Sequence, residues 1–266
     1  MVYVVSSKIK VKGDELRIEP LGDFHVGSPH IDLDRIRDRV EAIRAEPDRY
    51  WIGMGDYIES IGPYRRGIVD KRWMEWLARH GLQTPLQQLD EFFKLVEPIK
   101  KKCLGLIIGN HDYTILDPGD LKLEFENRGY RFLGPMAFVK LEIVKNGKLR
   151  RSDWIWACHG SYAGMRQGGA VNRLEDLSRK YYADVYLHAH THAKNFWKGI
   201  RYIPQADPPK LLEKTMIYVL TGCFVREHVV NDFSYTEIRP SPRTIRLGTI
   251  TIGFPIDKPE VINAYD

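Results

Sequence analysis

Residues 103–112, CLGLIIGNHD, hold much of the information about the fold. They begin with a short apolar run and end in Gly109-Asn110-His111-Asp112, whose last three residues are polar or ionisable. A short apolar run that stops at a turn signal is typical of a buried β-strand. This stretch therefore predicts a strand that ends at a cluster of side chains able to do chemistry.

The chain before this stretch repeats the same pattern. Residues 14–25 predict a strand that stops before Asp23 and His25, and residues 49–56 predict a second strand that ends at Asp56. Between the strands, residues 32–47 and 84–102 have the apolar spacing of helices. Alternating strands and helices are typical of an α/β layered core, in which ligands bind beyond the carboxyl ends of the strands.

The second half of the chain is richer in strands. An Asn-Gly pair at residues 146–147 separates two alternating runs and predicts a hairpin. Residues 169–182 predict a helix, and residues 183–192 predict another strand. Residues 214–224 and 244–254 are apolar runs that we expect to be closing strands of a second sheet.

Composition limits the class of protein. The 266 residues are 43% hydrophobic, which is enough to bury a substantial core in one domain over residues 1–266. A formal charge of +5 weakly favours a phosphate-bearing ligand. The three cysteines lie far apart, no segment resembles a signal peptide, and no apolar run is long enough to span a membrane. These features predict a cytoplasmic protein without a membrane partner.

Residues 187–192, LHAHTH, place histidines at every second position. If a strand ran through all of them, His188, His190 and His192 would point to one side. A metal site, a pH switch and coincidence all remain open from this segment alone.

The predicted strand exits share one kind of chemistry. Carboxylate and amide oxygens are combined with imidazole nitrogens, and this combination suits borderline divalent ions such as manganese, iron or zinc. No thiolate is present in the set, which disfavours a structural zinc site. In order, the exits are Asp23-Phe24-His25, Gly55-Asp56, Gly109-Asn110-His111-Asp112, His159-Gly160 and Ala189-His190-Thr191-His192.

This ordered set resembles the calcineurin-like metallophosphoesterases, whose pattern is DxH, GD, GNH, a lone H and GHxH. The resemblance covers residues 23–192, with Ala189 at the position of the usual glycine. It implies an α/β fold, classed as α+β in some schemes, built as a four-layer α/β/β/α sandwich of two mixed sheets. It also implies two divalent metal ions, with manganese preferred and iron, zinc, nickel or cobalt as alternatives.

The resemblance implies a role for each residue at the exits. Asp23, His25 and His192 would bind one ion, Asn110, His159 and His190 the other, and Asp56 would bridge the two. His188 is then expected to be a packed or supporting residue. A hydroxide held by the two cations would attack phosphorus. His111, with Asp112 or Glu59 orienting its imidazole, would stabilise the phosphate or protonate the leaving group.

One difference from the serine/threonine protein phosphatases indicates the class of substrate. GDYIES at residues 55–60 resembles the GDYVDR of serine/threonine protein phosphatases, but Ser60 stands where they carry a phosphate-binding arginine. This favours a phosphodiesterase or nuclease acting on nucleotides or nucleic acid over a phosphomonoesterase. Arg65, Arg66 and Arg166 are the candidate substrate-binding residues, in loops after Asp56 and His159. A catalytically silent scaffold of the same fold is the alternative from another class.

Overall fold

The computed structural model describes residues 2–60, 71–113, 116–160, 167–226 and 246–266. In these ranges eleven strands form two sheets, and helices lie outside them. The strands are β1 (Tyr3–Lys10), β2 (Glu15–Leu21), β3 (Arg49–Gly53), β4 (Cys103–Leu106), β5 (Met136–Lys145), β6 (Lys148–Cys158), β7 (Val185–His188), β8 (Lys194–Ala206), β9 (Pro209–Thr221), β10 (Thr251–Pro255) and β11 (Asn263–Tyr265). The helices are α1 (Leu33–Ala45), α2 (Lys71–His80), α3 (Pro85–Val96), α4 (Asn110–Tyr113), α5 (Pro118–Asn127) and α6 (Gln167–Ser178), and a 3-10 turn spans Glu97–Lys102.

Both sheets are mixed. The six-stranded sheet has the order β1-β5-β6-β7-β9-β8, and the five-stranded sheet has the order β11-β10-β2-β3-β4. β2, β3 and β4 are parallel to one another, as are β6, β7 and β9. The prediction that the two late strands close the same second sheet is wrong. β9 lies beside β7, whereas β10 crosses to the other sheet and runs antiparallel to β2, because sequence pattern does not specify which strand edge an apolar run will pair with.

The main core lies between the two sheets. Ile18 and Phe254 of the five-stranded sheet pack in one buried cluster with Val139 and Val219 of the six-stranded sheet. Burial of apolar surface is the dominant favourable term in folding, so this shared core holds the two sheets face to face.

Two further apolar clusters hold helices on the outer faces. Ile36 of α1 and Phe92 of α3 pack with Trp51 on the outside of the five-stranded sheet. Leu174 of α6 packs with Tyr186 on the outside of the six-stranded sheet. The layers are therefore α/β/β/α, as the resemblance to calcineurin-like metallophosphoesterases implies, and the fold prediction is confirmed.

Local signals explain several boundaries. Thr84 and Gln87 form a capping box before α3, and Asp32 caps α1 by accepting from the backbone N–H of Arg35. The hairpin predicted at residues 146–147 joins β5 to β6. β7 ends at His188, so the three histidines do not share one strand. No helix of the described ranges is both long enough and apolar enough to cross a membrane.

Candidate metal centre

The loops that follow five strands meet at one edge of the two sheets and are joined by backbone hydrogen bonds. The N–H of Asp23 donates to the carbonyl of Gly55 at 2.8 Å, and the N–H of His25 donates to the carbonyl of Asp56 at 3.0 Å. On the other sheet, the N–H of Ala189 donates to the carbonyl of His159 at 3.1 Å. The strand exits predicted from the sequence are thus brought together.

An unusual backbone conformation marks these loops. Five of the seven non-glycine residues with positive φ in the described ranges are candidate metal ligands. Such conformations cost free energy and persist where the surroundings impose them, often at functional sites. The five are Asp23 (49°), His25 (51°), Asp56 (52°), His190 (64°) and His192 (58°).

Gly109, the glycine of the GNH motif, lies so close to Asp56 that no side chain would fit there. A Cβ on Gly109 would lie 2.1 Å from Oδ1 and 2.4 Å from the backbone nitrogen of Asp56. Any side chain at this position would displace the Asp56 carboxylate. The glycine therefore lets the Asp56 and Asn110 loops touch.

The first group of donor atoms comes from Asp23, His25 and His192. The Nε2 atoms of His25 and His192 are 3.2 Å apart. Oδ1 of Asp23 lies 3.4 Å from Nε2 of His192 and 3.8 Å from Nε2 of His25. Ligand atoms about 2.1 Å from one ion stand roughly 3 Å apart, so these separations suit a shared cation.

The second group comes from Asp56, His159 and His190, with Asn110 beside it. Nε2 of His159 lies 3.1 Å from Oδ2 of Asp56 and 3.2 Å from Oδ1 of Asn110. The rings of His159 and His190 have centroids 5.3 Å apart. Two imidazoles, a carboxylate and an amide oxygen therefore converge here.

Asp56 lies between the two groups. Its Oδ2 is 3.1 Å from Nε2 of His159 in the second group and 3.9 Å from Nε2 of His25 in the first. A carboxylate shared in this way offsets the mutual repulsion of two neighbouring cations. The bridging role of Asp56 requires this position and stays a prediction.

A hydrogen bond to His159 and an ion-pair contact to His25 select the ring nitrogen that would face an ion. His159 donates from Nδ1 to the carbonyl of Met54 at 2.8 Å, which leaves the lone pair on Nε2. Nδ1 of His25 lies 2.8 Å from the Glu59 carboxylate, and again Nε2 points to the donor group. Metal-binding histidines are commonly oriented by such partners.

The residues present fit a pair of divalent cations. Oδ1 of Asp23 is fully buried and makes no hydrogen bond within the described residues, although imidazole nitrogens lie nearby. A buried carboxylate oxygen in this situation needs a cation or a donor to compensate its desolvation. The nitrogen and oxygen donors with no thiolate match borderline ions such as manganese, iron or zinc.

Without a metal, protons on the imidazoles compensate the carboxylates. Burial opposes the charge on His25, but the neighbouring carboxylates of Asp23 and Glu59 outweigh it and raise the pKa of His25 to about 10. Burial likewise opposes charge on His159, yet Asp56 raises its pKa to about 9. Burial favours the neutral form of Asp56, but His159 holds the pKa of that carboxyl below its usual range. A metal ion must therefore displace protons to bind.

His111 lies beside the first group. Its backbone N–H donates to Oδ1 of Asp56 at 2.8 Å, and its Nδ1 donates to the backbone carbonyl of Glu59 at 2.9 Å. Burial and the neighbouring charge of His25 lower the pKa of His111. Its donor atom also lies within 4.8 Å of those of His25 and Asp56. The catalytic role of His111 stays a prediction.

Asp112, expected as one of two residues that could orient His111, has its carboxylate directed at backbone N–H groups. Its carboxylate accepts the backbone N–H groups of Asp56 at 2.8 Å, Tyr57 at 2.9 Å and Gly109 at 2.8 Å. The geometry therefore favours Glu59 over Asp112 as the residue that orients the His111 imidazole.

His188 is packed beneath the centre. It is fully buried, and a Cβ on Gly160 would lie 2.3 Å from its Cε1 atom. It does not belong to any of the three donor groups formed by described residues. This placement agrees with the expected packed role.

The predicted substrate-binding residues Arg65, Arg66 and Arg166 lie outside the described residues. The segment after the first two is described from Lys71, where α2 begins. Trp73 of α2 donates from its indole nitrogen to the carbonyl of Gly27 at 2.7 Å. The start of α2 therefore contacts Gly27, which follows His25 by two residues.

Sequence reasoning missed two supporting groups. The contact between Glu59 and His25 joins residues from different strand exits, and the sequence showed only that Glu59 follows Asp56 by three residues. The carbonyl of Met54 carries no sequence signal, because every residue has a carbonyl.

Comparison with known proteins found matches among solved structures. No family model and no curated protein matches the chain. Similar solved structures include a predicted phosphoesterase from Streptococcus pneumoniae, with 12% identity, 91% of this chain and 83% of that chain covered, and a TM-score of 0.36. Vps29 complexed with zinc from Entamoeba histolytica has 10% identity, coverages of 94% and 97%, and a TM-score of 0.42. GAP50 of Plasmodium has 11% identity, coverages of 96% and 89%, and a TM-score of 0.45.

Proposed function

We propose that the protein is a metal-dependent phosphoesterase with two cations, and that it hydrolyses phosphodiesters of nucleotides or nucleic acid. The observation that carries this proposal is the position of the Asp56 carboxylate between two groups of donor atoms. Two cations that share a carboxylate are suited to the displacement of an alcohol from phosphorus.

Each group of residues has a definite task. Asp23, His25 and His192 would hold one ion, and His159, His190 and Asn110 the other, with Asp56 shared. Bound there, the cations would acidify water and neutralise charge on the phosphoryl oxygens. Manganese is the ion we favour, because the donor set mixes hard oxygens with imidazoles.

His111 supplies the proton chemistry. Because Nδ1 donates to the Glu59 carbonyl, the neutral imidazole has its lone pair on Nε2. A proton taken up at Nε2 can be given to the leaving oxygen, and a diester needs this help because its alcohol is a poor leaving group. Neither serine nor cysteine occurs in the motifs that carry the donor groups, so water rather than a side chain would attack phosphorus.

Release of nitrophenol tests the proposal. We expect the protein with added manganese to hydrolyse bis(p-nitrophenyl) phosphate faster than p-nitrophenyl phosphate. Faster hydrolysis of the monoester would favour a phosphomonoesterase, and no hydrolysis of either ester with any divalent metal would favour a silent scaffold.

A further inference from the structure

One border of the metal centre is formed by segments that belong to none of the ligand motifs. The N–H of Phe224 donates to the carbonyl of Asp23 at 3.1 Å, and the N–H of Gly222 donates to the carbonyl of Ala193 at 2.9 Å. The N–H of Gly248 in turn donates to the carbonyl of Cys223 at 2.8 Å. The chain around residues 222–226 therefore lies directly against the loops that carry Asp23 and His192.

Four cationic side chains extend from this border, and we call them the basic rim: Arg35, Lys194, Arg226 and Arg246. Asp32 lies 3.6 Å from Arg35 and 3.3 Å from Arg226, and Asp266 pairs with Lys194 and with Arg246. Within the described residues, two carboxylates thus pair with four cationic side chains. Among the described residues, the rim therefore has two more cationic side chains than acidic side chains paired with them.

Arg35 and Lys194 come from distant parts of the sequence, but both side chains lie beside Gly248. A Cβ on this glycine would lie 3.7 Å from Cδ of Arg35 and 3.7 Å from Nζ of Lys194. The side chains of Arg35 and Arg226 remain 46% and 51% exposed, so their guanidinium groups can still meet a ligand.

The rim is close to the candidate centre along the chain as well. Lys194 follows the ligand His192 by two residues, and two residues of extended chain span at most about 7 Å. Arg226 follows Phe224, which is bonded to Asp23, by the same interval. If the scissile phosphate binds at the metal centre, a group attached to that phosphate can therefore reach the rim.

We propose that the basic rim is a subsite for a second phosphate group of the substrate. This inference rests on the proposed phosphodiesterase function. The metal centre needs only one phosphate, whereas guanidinium groups beside it suit another phosphate because their paired N–H donors match its oxygens. The second phosphate is either the neighbouring link of an oligonucleotide or the second phosphoryl group of a diphosphate.

Matched aryl esters test the subsite and distinguish the two sources. The reference is the p-nitrophenyl ester of thymidine 5′-phosphate; one probe adds a 3′-phosphate, and the other replaces the 5′-phosphate by a 5′-diphosphate. We expect one of these additions to lower KM about tenfold, and Arg35→Gln and Arg226→Gln to remove most of that gain. Arg37→Gln, on the same helix with its side chain 64% exposed, is the matched control and should keep the gain.

Equal KM values for all three esters, or a gain that survives both substitutions, would overturn the proposal. If Arg226→Gln unfolds the protein because Asp32 loses its partner, Arg246→Gln provides the same test at a side chain that is 79% exposed. If no ester is hydrolysed, the proposed function has failed independently. Calorimetric binding of thymidine 3′,5′-bisphosphate, compared with the 5′-monophosphate, then decides whether the rim binds a second phosphate.

Discussion

The carboxylate of Asp112 accepts the backbone N–H of Asp56 at 2.8 Å. The same carboxylate also accepts the N–H groups of Tyr57 and Gly109. Burial and the nearby charge of Asp56 raise the pKa of Asp112 to about 7, while the three donors favour its ionised form. One buried acid thus joins the loop that carries Asp56 to the loop that carries Asn110.

Replacing this acid should loosen both loops. In Asp112→Asn one acceptor oxygen becomes an N–H₂ group that faces a backbone N–H, so we expect the free energy of unfolding to fall by about 1–3 kcal/mol. Denaturant titration measures this, and metal content should fall with it. Asp34→Asn is the control, because Asp34 lies on the surface of α1 with its side chain 86% exposed. Unchanged stability in Asp112→Asn would contradict this role.

Replacing Glu59 should lower the affinity for one ion more than the affinity for the other. Its carboxylate contacts Nδ1 of His25, so Glu59→Gln should weaken the ion held by Asp23, His25 and His192. The expected loss of affinity is about 10–100-fold, measured by competition with a chelator. Glu41→Gln, at an exposed acid of α1 that pairs with Arg44, should leave both affinities unchanged. Equal affinities in Glu59→Gln and the native protein would show that His25 does not need this partner.

His111 should affect turnover more than metal content. His111→Ala removes the proton donor, and we expect diester hydrolysis to fall about 10²–10⁴-fold while both ions remain bound. Rates and metal analysis on the same preparation measure the two effects separately. His80→Ala changes an exposed histidine of α2 and serves as the control. If His111→Ala also loses an ion, then His111 is a ligand, as the donor group it forms with His25 and Asp56 would allow.

Metal binding and pH should be coupled. In the metal-free protein the pKa values of His25 and His159 are raised from 6.5 to about 10 and about 9. Their protonation therefore contributes its full stabilisation below pH 6.5, and this stabilisation is lost as pH rises through about 9 and 10. A cation replaces those protons and supplies the missing charge. The rise in Tm caused by manganese should therefore be larger at about pH 8 than at about pH 6. A rise that shrinks with pH would contradict the proton displacement.

The positions of the ligands could be predicted from sequence because parallel strands end at the same edge of a sheet. Asp23, Asp56 and Asn110 follow β2, β3 and β4, and His159 and His190 follow β6 and β7. Short apolar runs that stop at polar residues locate such exits without knowledge of the pairing. The alternation of strands and helices likewise indicated the layered fold.

Features that depend on long-range pairing were not predictable. Arg35 and Arg226 share Asp32 although they are far apart in the chain, and no local pattern connects them. β10 pairs with β2 rather than with a neighbour in sequence. The left-handed backbone of His190 and His192 also could not be foreseen, because the surrounding loops impose it.

The central claim is that two cations share the carboxylate of Asp56. Anomalous diffraction from crystals soaked in manganese tests it most directly. We predict two peaks about 3.5–4 Å apart, one beside Asp23, His25 and His192 and the other beside His159 and His190, with Asp56 between them. A single peak, or two peaks that do not both contact Asp56, would contradict the account.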